Sequence, residues 1–430
     1  MRSPKSAVYG LLTSACVALF AVLASLSAAA YADALSFNDA LRLAVRETPA
    51  LTANAAQVDV ARAAAIPAGE LPDPKLLLAV DNLPINTDDR FSLTRDSQTA
   101  RRIGIMQEFP NQDKRAARVA VAQGQVAMAE AQTKITRLTV LRETAVAWIA
   151  RDSVERQLVR IDALNLENRL LGEAVRARLA GGKGMAAEVV APRQEAAEIE
   201  ERRDALQARR AQAIATLKRW IGPMAEAPLQ GNAPDWAITR ETLQGLHRHP
   251  ELTAFESKEQ VLNAEVAEAQ AAKKSDWTME FSYQQRGPQF SDMVSMQVSF
   301  DLRLFTAARQ DPKIAAKRAA RMGLDAEREA TLREHAAMLE TELAEYQRLS
   351  NILQRQRNLL LPLADEKLAL ATADWRGGKS SLSEVIVARR ERIDADLKLI
   401  QLTGERSQMA ARLYYAYGEP GGKQAENNHE

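Results

Sequence analysis

Two stretches in the second half of the chain alternate hydrophobic and polar residues with a period of two. They are WTMEFSYQQ, within residues 276–286, and MQVSFDLRL, within residues 294–304. A weaker form of the same alternation marks residues 75–83 and 100–109. Because successive side chains of a β-strand point to opposite faces, the pattern predicts four strands that each have one apolar and one polar face.

Longer segments carry hydrophobic residues at spacings of three and four, which is the period of an α-helix. We predict one helix over residues 112–180 and another over residues 312–376. At the rise of an α-helix each would be about 100 Å long, which is far longer than an ordinary globular helix. Such lengths are typical of a coiled coil or a helical tube, and Pro362 is expected to kink the second helix.

Each long helix is followed by a glycine-rich break, ARLAGGKGMAAEVV at Ala177–Val190 and ADWRGGKSSLSEVI at Ala373–Ile386. Glycine adopts a positive φ without strain, and a tight turn between two helices requires such a residue. We therefore predict that the chain turns back after each break, with return helices over residues 185–221 and 382–417. The candidate residues of the two turns are Gly181, Gly182, Lys183, Gly377, Gly378 and Lys379.

The two breaks belong to an internal repeat, since Gly182 aligns with Gly378 and the residues around them match at the same offset. The chain is therefore interpreted as two structural repeats, residues 33–230 and 231–418. Each is predicted to contain an opening helix, two strands, a long helix, a turn and a return helix, in that order. The opening helices are expected at Phe37–Gly69 and Thr239–Lys274.

The N-terminus predicts an export signal. Residues 1–32 combine a basic start with an apolar stretch and end in Ala-Tyr-Ala, which fits the rule for signal-peptidase cleavage. An uncleaved membrane anchor is the alternative, because the apolar run is long. Cys16 is the one cysteine and lies in this segment, so the mature chain is expected to have no disulfide. Residues 419–430 are polar and are expected to be disordered.

Composition and motifs argue against several classes of function. The net charge is +1 over 430 residues, which gives no electrostatic basis for binding nucleic acid. The sequence GGKSS resembles part of a phosphate-binding loop, but Ala373 stands where that pattern requires glycine. His247 and His249 could face one metal ion, yet nothing in the sequence supplies a third and fourth ligand. We therefore expect no enzyme activity, no cofactor and no metal site.

Four amphipathic strands are too few to close a barrel, which needs about eight. Helices this long would project away from the strands rather than cover their apolar faces. Copies of the chain could instead join edge to edge, and a trimer would supply twelve strands around a water-filled lumen. Polar residues such as Glu280, Gln284, Asp301 and Arg303 would line that lumen, and the apolar faces would contact lipid.

The predicted fold class is therefore mainly α with a small β part. Very long antiparallel helices would form an α-barrel, and four amphipathic strands would contribute to a trimeric transmembrane β-barrel. The competing interpretation is a soluble periplasmic coiled-coil scaffold or adaptor. That alternative explains the long helices but gives no role to four strands that each have an apolar face.

Taken together, these features resemble the TolC family of outer-membrane efflux proteins. The resemblance covers the whole mature chain, and no single motif carries it. It rests on the opening LSFNDALRLAVRETPAL, the sequence MQEFP at Met106–Pro110, the doubled order of elements and the two glycine turns followed by acidic residues. The stretch LPDPKLLLAVDNLP at Leu71–Pro84, with RRIGIMQEFP, is most similar to the heavy-metal branch, of the CzcC and CusC kind.

The resemblance implies a homotrimer in the outer membrane of a Gram-negative cell, projecting into the periplasm. Such a trimer is the passive exit duct of a tripartite efflux system, where it meets a periplasmic adaptor and an inner-membrane pump of the RND type. The heavy-metal branch implies metal cations as the substrate. Drugs or other organic solutes, or type I secretion, are the alternatives within the family.

The resemblance also implies a role for acidic residues just after each turn, which help to hold the periplasmic end closed. Glu188 and Glu384 occupy those positions, while the family's second acidic residue, one turn later, is Val387 here. The start of a helix favours negative charge in any protein, so capping is the alternative role of both glutamates. The candidate ion-pair partners are Arg193, Arg389 and Arg390.

Overall fold

The computed structural model describes residues 34–86, 88–182 and 185–418. The predicted signal peptide, residues 1–32, and the predicted C-terminal tail, residues 419–430, lie outside the described residues. The described chain falls into two compact units, and each unit combines residues from both predicted repeats. The repeats seen in the sequence are therefore not the compact units of the fold.

The first unit contains both glycine breaks and is called the turn unit here. It consists of Thr139–Leu243, Thr341–Gly418 and the described residues up to Thr48. The second contains the amphipathic strands and is called the sheet unit. It consists of Pro49–Leu138 and Gln244–Glu340.

Eight α-helices account for most of the described residues. They are α1 (Phe37–Glu47), α2 (Pro49–Ala65), α3 (Gln112–Ala180), α4 (Ala191–Ile221), α5 (Pro250–Ala271), α6 (Thr306–Arg355), α7 (Leu361–Arg376) and α8 (Leu382–Tyr417). The long helix α3 and the return helix α8 have the bounds that the hydrophobic spacing predicted. Among the helices of the described residues, none is both long enough and apolar enough to cross a membrane.

Six strands form two sheets in the described residues. They are β1 (Leu35–Ser36), β2 (Lys75–Asp81), β3 (Ala100–Phe109), β4 (Leu229–Gln230), β5 (Trp277–Gln285) and β6 (Met293–Phe300). The short strands β1 and β4 pair in parallel, and the other four form an antiparallel sheet in the order β2-β3-β5-β6. The four amphipathic strands of the sequence are therefore one sheet, with a hairpin contributed by each repeat.

A group of aromatic side chains forms part of the core of the turn unit. The ring of Phe37 meets Trp148 edge-on at 5.5 Å and Trp236 at 5.7 Å, and Trp236 in turn lies 5.6 Å from Tyr414. Contacts of this kind contribute about 0.5–1.5 kcal/mol each beyond the area they bury. The indole Nε1 of Trp148 also donates to the carbonyl oxygen of Leu35 at 3.3 Å, which ties α3 to β1.

Arg151 is a fully buried cation on α3 that holds the segment leading into β4. Its Nη1 donates to the carbonyl oxygen of Ala225 at 2.5 Å, and its Nη2 donates to that of Ala227 at 2.8 Å. Its Nε pairs with Glu155, one turn along the helix, at 2.8 Å. A buried guanidinium is tolerated here because its donors are matched by acceptors.

In the sheet unit, ion pairs join α5 to the long helices on either side of it in sequence. Arg118 of α3 pairs with Glu268 at 3.0 Å, and Lys317 of α6 pairs with Glu265 at 2.7 Å. These pairs are half-exposed, so each contributes only about 0–1 kcal/mol to stability.

Prolines overturn the prediction of two uninterrupted opening helices. The segment predicted as 37–69 divides at Thr48, whose backbone is extended with ψ 120°, and α2 then begins at Pro49. The helix predicted from Thr239 begins only at Pro250, after His249 with ψ 131°. A residue before proline is disfavoured in the helical region, while proline itself suits the first position of a helix.

The second long helix also differs from its predicted bounds. Strand β6 ends at Phe300, four residues earlier than expected, and α6 begins at Thr306 with Pro312 inside it. Further on, the chain forms a π-helical turn over Gln356–Leu360, and α7 follows with Pro362 at its start. Because Pro362 has no amide hydrogen for the carbonyl four residues earlier, the regular α-helical ladder is interrupted near the position where a kink was predicted.

Candidate functional site

The second glycine turn ends α7 with a complete Schellman motif. Gly378 has φ +74°, as predicted for a glycine that reverses the chain. Its amide donates to the carbonyl oxygen of Trp375 at 3.0 Å, and the amide of Lys379 donates to that of Asp374 at 2.8 Å. These are the two bonds that satisfy the last carbonyls of a helix when the next residue is left-handed.

The first glycine turn has the same backbone conformation. Gly182 has φ +71°, and its amide donates to the carbonyl oxygen of Leu179 at 3.0 Å, which matches the first bond of the other turn. Gly181 precedes it as the last residue before the reversal, as Gly377 does in the second turn. The candidate Lys183 lies outside the described residues.

A cation–π contact and a cluster of buried hydrophobic side chains join the two turns. Arg178, near the end of α3, lies over the ring of Trp375 with its guanidinium carbon 4.5 Å from the ring centre, and its Nη1 donates to the Trp375 carbonyl at 2.9 Å. A cation over an aromatic face gains about 0.5–1 kcal/mol where water reaches it and more where it does not. The buried residues of this cluster are Val175, Trp375, Leu382, Val385 and Ile386.

Glu188 and Glu384 both stand at the start of a helical segment. The amide of Met185 donates to Glu188 at 3.2 Å, ahead of a short 3-10 turn that precedes α4, so the return helix begins later than the predicted residue 185. The hydroxyl of Ser381 donates to Glu384 at 3.3 Å at the start of α8. Glu188 therefore accepts from the backbone at the start of its helical segment, whereas Glu384 contacts only the side chain of Ser381. The gating role of both glutamates stays a prediction.

Arg389 is directed into the turn unit rather than toward Glu384. Its side chain is buried, and Nη2 donates to the carbonyl oxygen of Leu164 at 3.3 Å. Nη1 lies 3.7 Å from a carboxylate oxygen of Glu195, and Nη2 lies 3.8 Å from one of Glu167. The predicted tip cation is thus the centre of an ion-pair group within its own chain.

Glu195 is the acidic member of that group that the sequence analysis missed. Its side chain is buried, and neither carboxylate oxygen has a hydrogen-bond partner among the described residues. Removal from water raises the pKa of Glu195 above its ordinary value, although the nearby charges of Arg389 and Arg390 act in the opposite direction. A signal was present, because Glu195 falls between Pro192 and Ile199 at the spacing of the buried face of α4.

The other two candidate arginines are at the surface. Arg193 is exposed on the first turn of α4. Arg390 pairs with Glu198 rather than with Glu188 or Glu384. The structure therefore gives neither glutamate an arginine partner from the predicted set within the described chain.

One face of the four-stranded sheet consists of exposed hydrophobic side chains. In the register of the sheet, Leu76, Ile105, Phe281 and Met296 lie opposite one another and form a row across all four strands. Their exposed fractions are 65%, 60%, 55% and 70%, so the described chain does not cover this row. Further exposed hydrophobic residues of the sheet are Leu78, Val80, Ile103, Met279, Tyr283, Val294, Val298 and Phe300.

The sheet also has two free edges. Strands β2 and β6 each pair with one neighbour among the described residues, so one side of each has no strand partner there. An edge of this kind presents a row of backbone amide and carbonyl groups that another strand can pair with. Exposed hydrophobic residues and free edges therefore occur on the same sheet.

The opposite face of the sheet is polar and half-buried. Arg102 of β3 lies 3.1 Å from Asp81 of β2 and 3.1 Å from Glu280 of β5. Asp301 and Arg303, which were predicted to continue this face, lie beyond the end of β6 and pair with each other at 3.0 Å. The prediction that these two residues belong to the fourth strand was wrong.

Several solved structures have a fold similar to that of this chain. No protein-family model matches the sequence, and neither does any curated protein. Among solved structures, a membrane protein from Pseudomonas aeruginosa is 16% identical, with a TM-score of 0.74 over 90% of this chain and 92% of its own. The outer membrane protein VceC from Vibrio cholerae is 20% identical, with a TM-score of 0.71 over 89% and 96%. CusC is 17% identical, with a TM-score of 0.72 over 89% and 92%.

The chain has the outer-membrane channel fold. This result confirms the predicted fold class, with its long helices and small β part. The alignments with VceC and CusC each cover 89% of this chain, so the likeness of fold extends over most of its length.

One further group of residues in this fold was not recognised from the sequence. His335 and Glu251 lie next to His249, one of the two histidines considered above. The sequence could not show this, because His335 is far from His249 along the chain and is brought to it by helix packing.

Proposed function

We propose that the chain is the outer-membrane duct of a tripartite efflux system and that it works as a homotrimer. The observation that carries this proposal is the row of exposed hydrophobic side chains across a sheet with two free edges. A contiguous apolar patch on a protein surface is typical of contact with a membrane or a partner. Three copies joined edge to edge would supply twelve strands, with their hydrophobic faces toward lipid and their polar faces toward water.

The helical part then serves as the periplasmic conduit. By the family resemblance, the glycine turns form the end that meets a periplasmic adaptor, which connects the duct to an inner-membrane pump. The pump supplies the energy, and the duct itself performs no chemistry. The likeness of the fold to known outer membrane channels supports this assignment and the location in the outer membrane.

Two neighbouring residues of β6 provide a matched test of the lipid-facing surface. Met296 is in the exposed hydrophobic row, and Gln297 is on the opposite face of the same strand. Met296→Lys would place a charge in lipid at a cost of about 2–4 kcal/mol for each chain, whereas Gln297→Lys would face water. We expect Met296→Lys to remove the heat-modifiable trimer from the outer-membrane fraction, and Gln297→Lys to leave it there.

Two results would contradict the proposal. If the wild-type protein were found as a soluble monomer in the periplasm, the scaffold interpretation would replace the duct. Equal amounts of both lysine variants in the outer membrane would show that β6 does not face lipid.

A gate at the turn end is part of the proposal, with Glu384 as its acidic residue. Glu384→Gln removes the charge but keeps an acceptor for the Ser381 hydroxyl, so it tests the charge while that local contact is preserved. If the charge holds the end closed, single-channel conductance of the purified trimer in a bilayer should rise. Unchanged conductance would leave Glu384 with the capping role alone, and Glu188→Gln provides the parallel measurement in the first repeat.

Metal cations are the substrate class we propose for this duct. The support is the stretch Leu71–Pro84 with its similarity to the heavy-metal branch. The TM-scores of 0.71 with VceC and 0.72 with CusC are nearly equal, so overall fold does not distinguish the branches. A deletion strain should lose tolerance to transition-metal salts. Loss of tolerance to drugs or detergents alone would favour organic solutes instead.

A further inference from the structure

Two buried histidines and one exposed glutamate meet in the sheet unit, where the start of α5 lies next to α6. His249 caps α5, Glu251 is in its first turn, and His335 projects from α6. A ring nitrogen of each histidine and a carboxylate oxygen of Glu251 all lie within 4.8 Å of one another. We propose that these three side chains bind one divalent first-row transition metal ion, with Zn²⁺ or Cu²⁺ as the preferred occupant.

The ligand types agree with this assignment. Two imidazoles and one carboxylate form a known zinc-binding set that leaves a fourth position for water. Imidazole also suits copper, which binds most sites of this composition more tightly than the other divalent metals of its row. Calcium and magnesium prefer sites made of oxygen ligands alone, so the two histidines argue against them.

The imidazoles are already held in place. The exposed fractions of His249 and His335 are 3% and 4%, and the ring centres are 4.1 Å apart. Buried rings have few alternative rotamers, so fixing them around a metal ion costs little conformational entropy. Glu251 is the exposed ligand and lines a surface groove with Gln132 and Thr331, which gives an ion access from solvent.

The metal ion would bind between the side chains of His335 and Glu251. Nε2 of His335 lies 2.8 Å from Oε2 of Glu251. An ionised carboxylate only accepts hydrogen bonds, so this contact contains a proton on Nε2. A neutral imidazole coordinates metal through the nitrogen that has no proton, so binding through Nε2 would move this proton to Nδ1 and leave the ring neutral. Ligand atoms around tetrahedral zinc are about 3.3 Å apart, so the contact needs to widen by only about 0.5 Å.

A weak hydrogen bond of His249 would be lost when it binds a metal ion. Its Nδ1 accepts a hydrogen bond from the amide of Glu251 at 3.3 Å, which is long for a bond of this type. A neutral imidazole has a single lone pair, so metal binding through either ring nitrogen ends that bond.

The bound ion would connect the start of α5 to α6 and fix the packing of the sheet unit. This role is separate from the proposed efflux function, since it does not depend on which substrate passes through the duct. His247 serves as an internal control, because it is close to His249 in sequence but is exposed and is not part of the group.

The test uses the full-length, tag-free protein in detergent and Zn²⁺ as the probe, with calorimetry to measure affinity and stoichiometry. We expect one Zn²⁺ per chain, an affinity at least about tenfold weaker in His249→Gln and in His335→Gln, and an unchanged affinity in His247→Gln. Zn²⁺ should also raise the thermal midpoint of the wild-type protein and of His247→Gln, but not that of the other two variants.

A second measurement needs no variant and so does not depend on how the variants fold. One equivalent of Cu²⁺ bound to the wild-type protein should show nitrogen hyperfine coupling from two imidazoles in its electron paramagnetic resonance spectrum. The proposal is overturned if no saturable site at one ion per chain exists, if the copper spectrum lacks two nitrogen ligands, or if His247→Gln weakens binding as much as His335→Gln does.

Discussion

The left-handed conformation of Gly378 makes a quantitative prediction for the variant Gly378→Ala. Gly378 has φ +74°, and outside residues 377–379 no heavy atom of the described chain lies within 4 Å of the position that a Cβ would take. The substitution therefore causes no clash in the chain, and its cost is the strain of an L-residue in the left-handed region. That strain is about 1–2 kcal/mol, which corresponds to roughly a 5- to 30-fold change in a local opening equilibrium.

Gly323 provides a control with the opposite expected sign. It lies inside α6. Apart from its chain neighbours and the adjacent backbone of the helix, no heavy atom of the described chain lies within 4 Å of its Cβ position, but its φ is not positive. Alanine is favoured over glycine in the interior of a helix by about 0.5–1 kcal/mol. Gly323→Ala should therefore stabilise its surroundings, whereas Gly378→Ala should destabilise the turn.

Hydrogen exchange followed by mass spectrometry measures both effects locally. The peptide that covers the end of α7 contains the Lys379 amide, which donates to Asp374 in the turn. In Gly378→Ala this peptide should exchange about 5 to 30 times faster, while the peptide around Gly323 in Gly323→Ala should exchange more slowly or at the same rate. The reasoning is refuted if Gly378→Ala leaves the exchange of its turn unchanged or slows it.

Two further predictions concern buried charges of the turn unit. Burial raises the pKa of Glu195 above its ordinary value of 4.5. Between pH 4.5 and this raised pKa, the folded chain therefore keeps a proton on Glu195 that the unfolded chain has released. Its contribution to stability is complete below about pH 4.5 and is lost as the pH rises through the raised pKa, so Glu195→Gln should flatten this part of the curve of thermal midpoint against pH. Arg151→Met should lower the free energy of unfolding by at least about 2 kcal/mol, measured by chemical denaturation, because the carbonyl groups of Ala225 and Ala227 lose their donors. Arg151→Lys, which keeps a donor, should be affected less.

The strands show how much of this fold the sequence can predict. Alternation with a period of two identified all four strands of the sheet, because only a strand places every second side chain on one face. The same alternation continues past Phe300, yet β6 ends there. The reason is that Phe300 pairs with Trp277, the first residue of β5, so later residues have no partner strand. The end of a strand thus depends on the register of its neighbour, which a single stretch of sequence does not contain.

The candidate site shows the same limit. The positive φ of Gly182 and Gly378 was predictable, because it follows from the local chemistry of a helix end. The partners of Arg389 and of His249 were not, since Glu195 and His335 come from other helices. Local conformation follows from neighbouring residues, whereas a buried ion pair or a ligand group is defined by tertiary packing.

The central pair of the sheet has a consequence for how the protein is made. Strand β3 pairs along its length with β5, from Arg101 opposite Gln285 to Phe109 opposite Trp277, and these strands come from different halves of the chain. The first hairpin is synthesised before the strands of the second half, so its pairing edge stays exposed until those strands are available. Contacts so distant in sequence form slowly, and an exposed strand edge is prone to aggregate in the meantime. The order of synthesis therefore leaves one edge of the first hairpin unpaired until the second half of the chain is available.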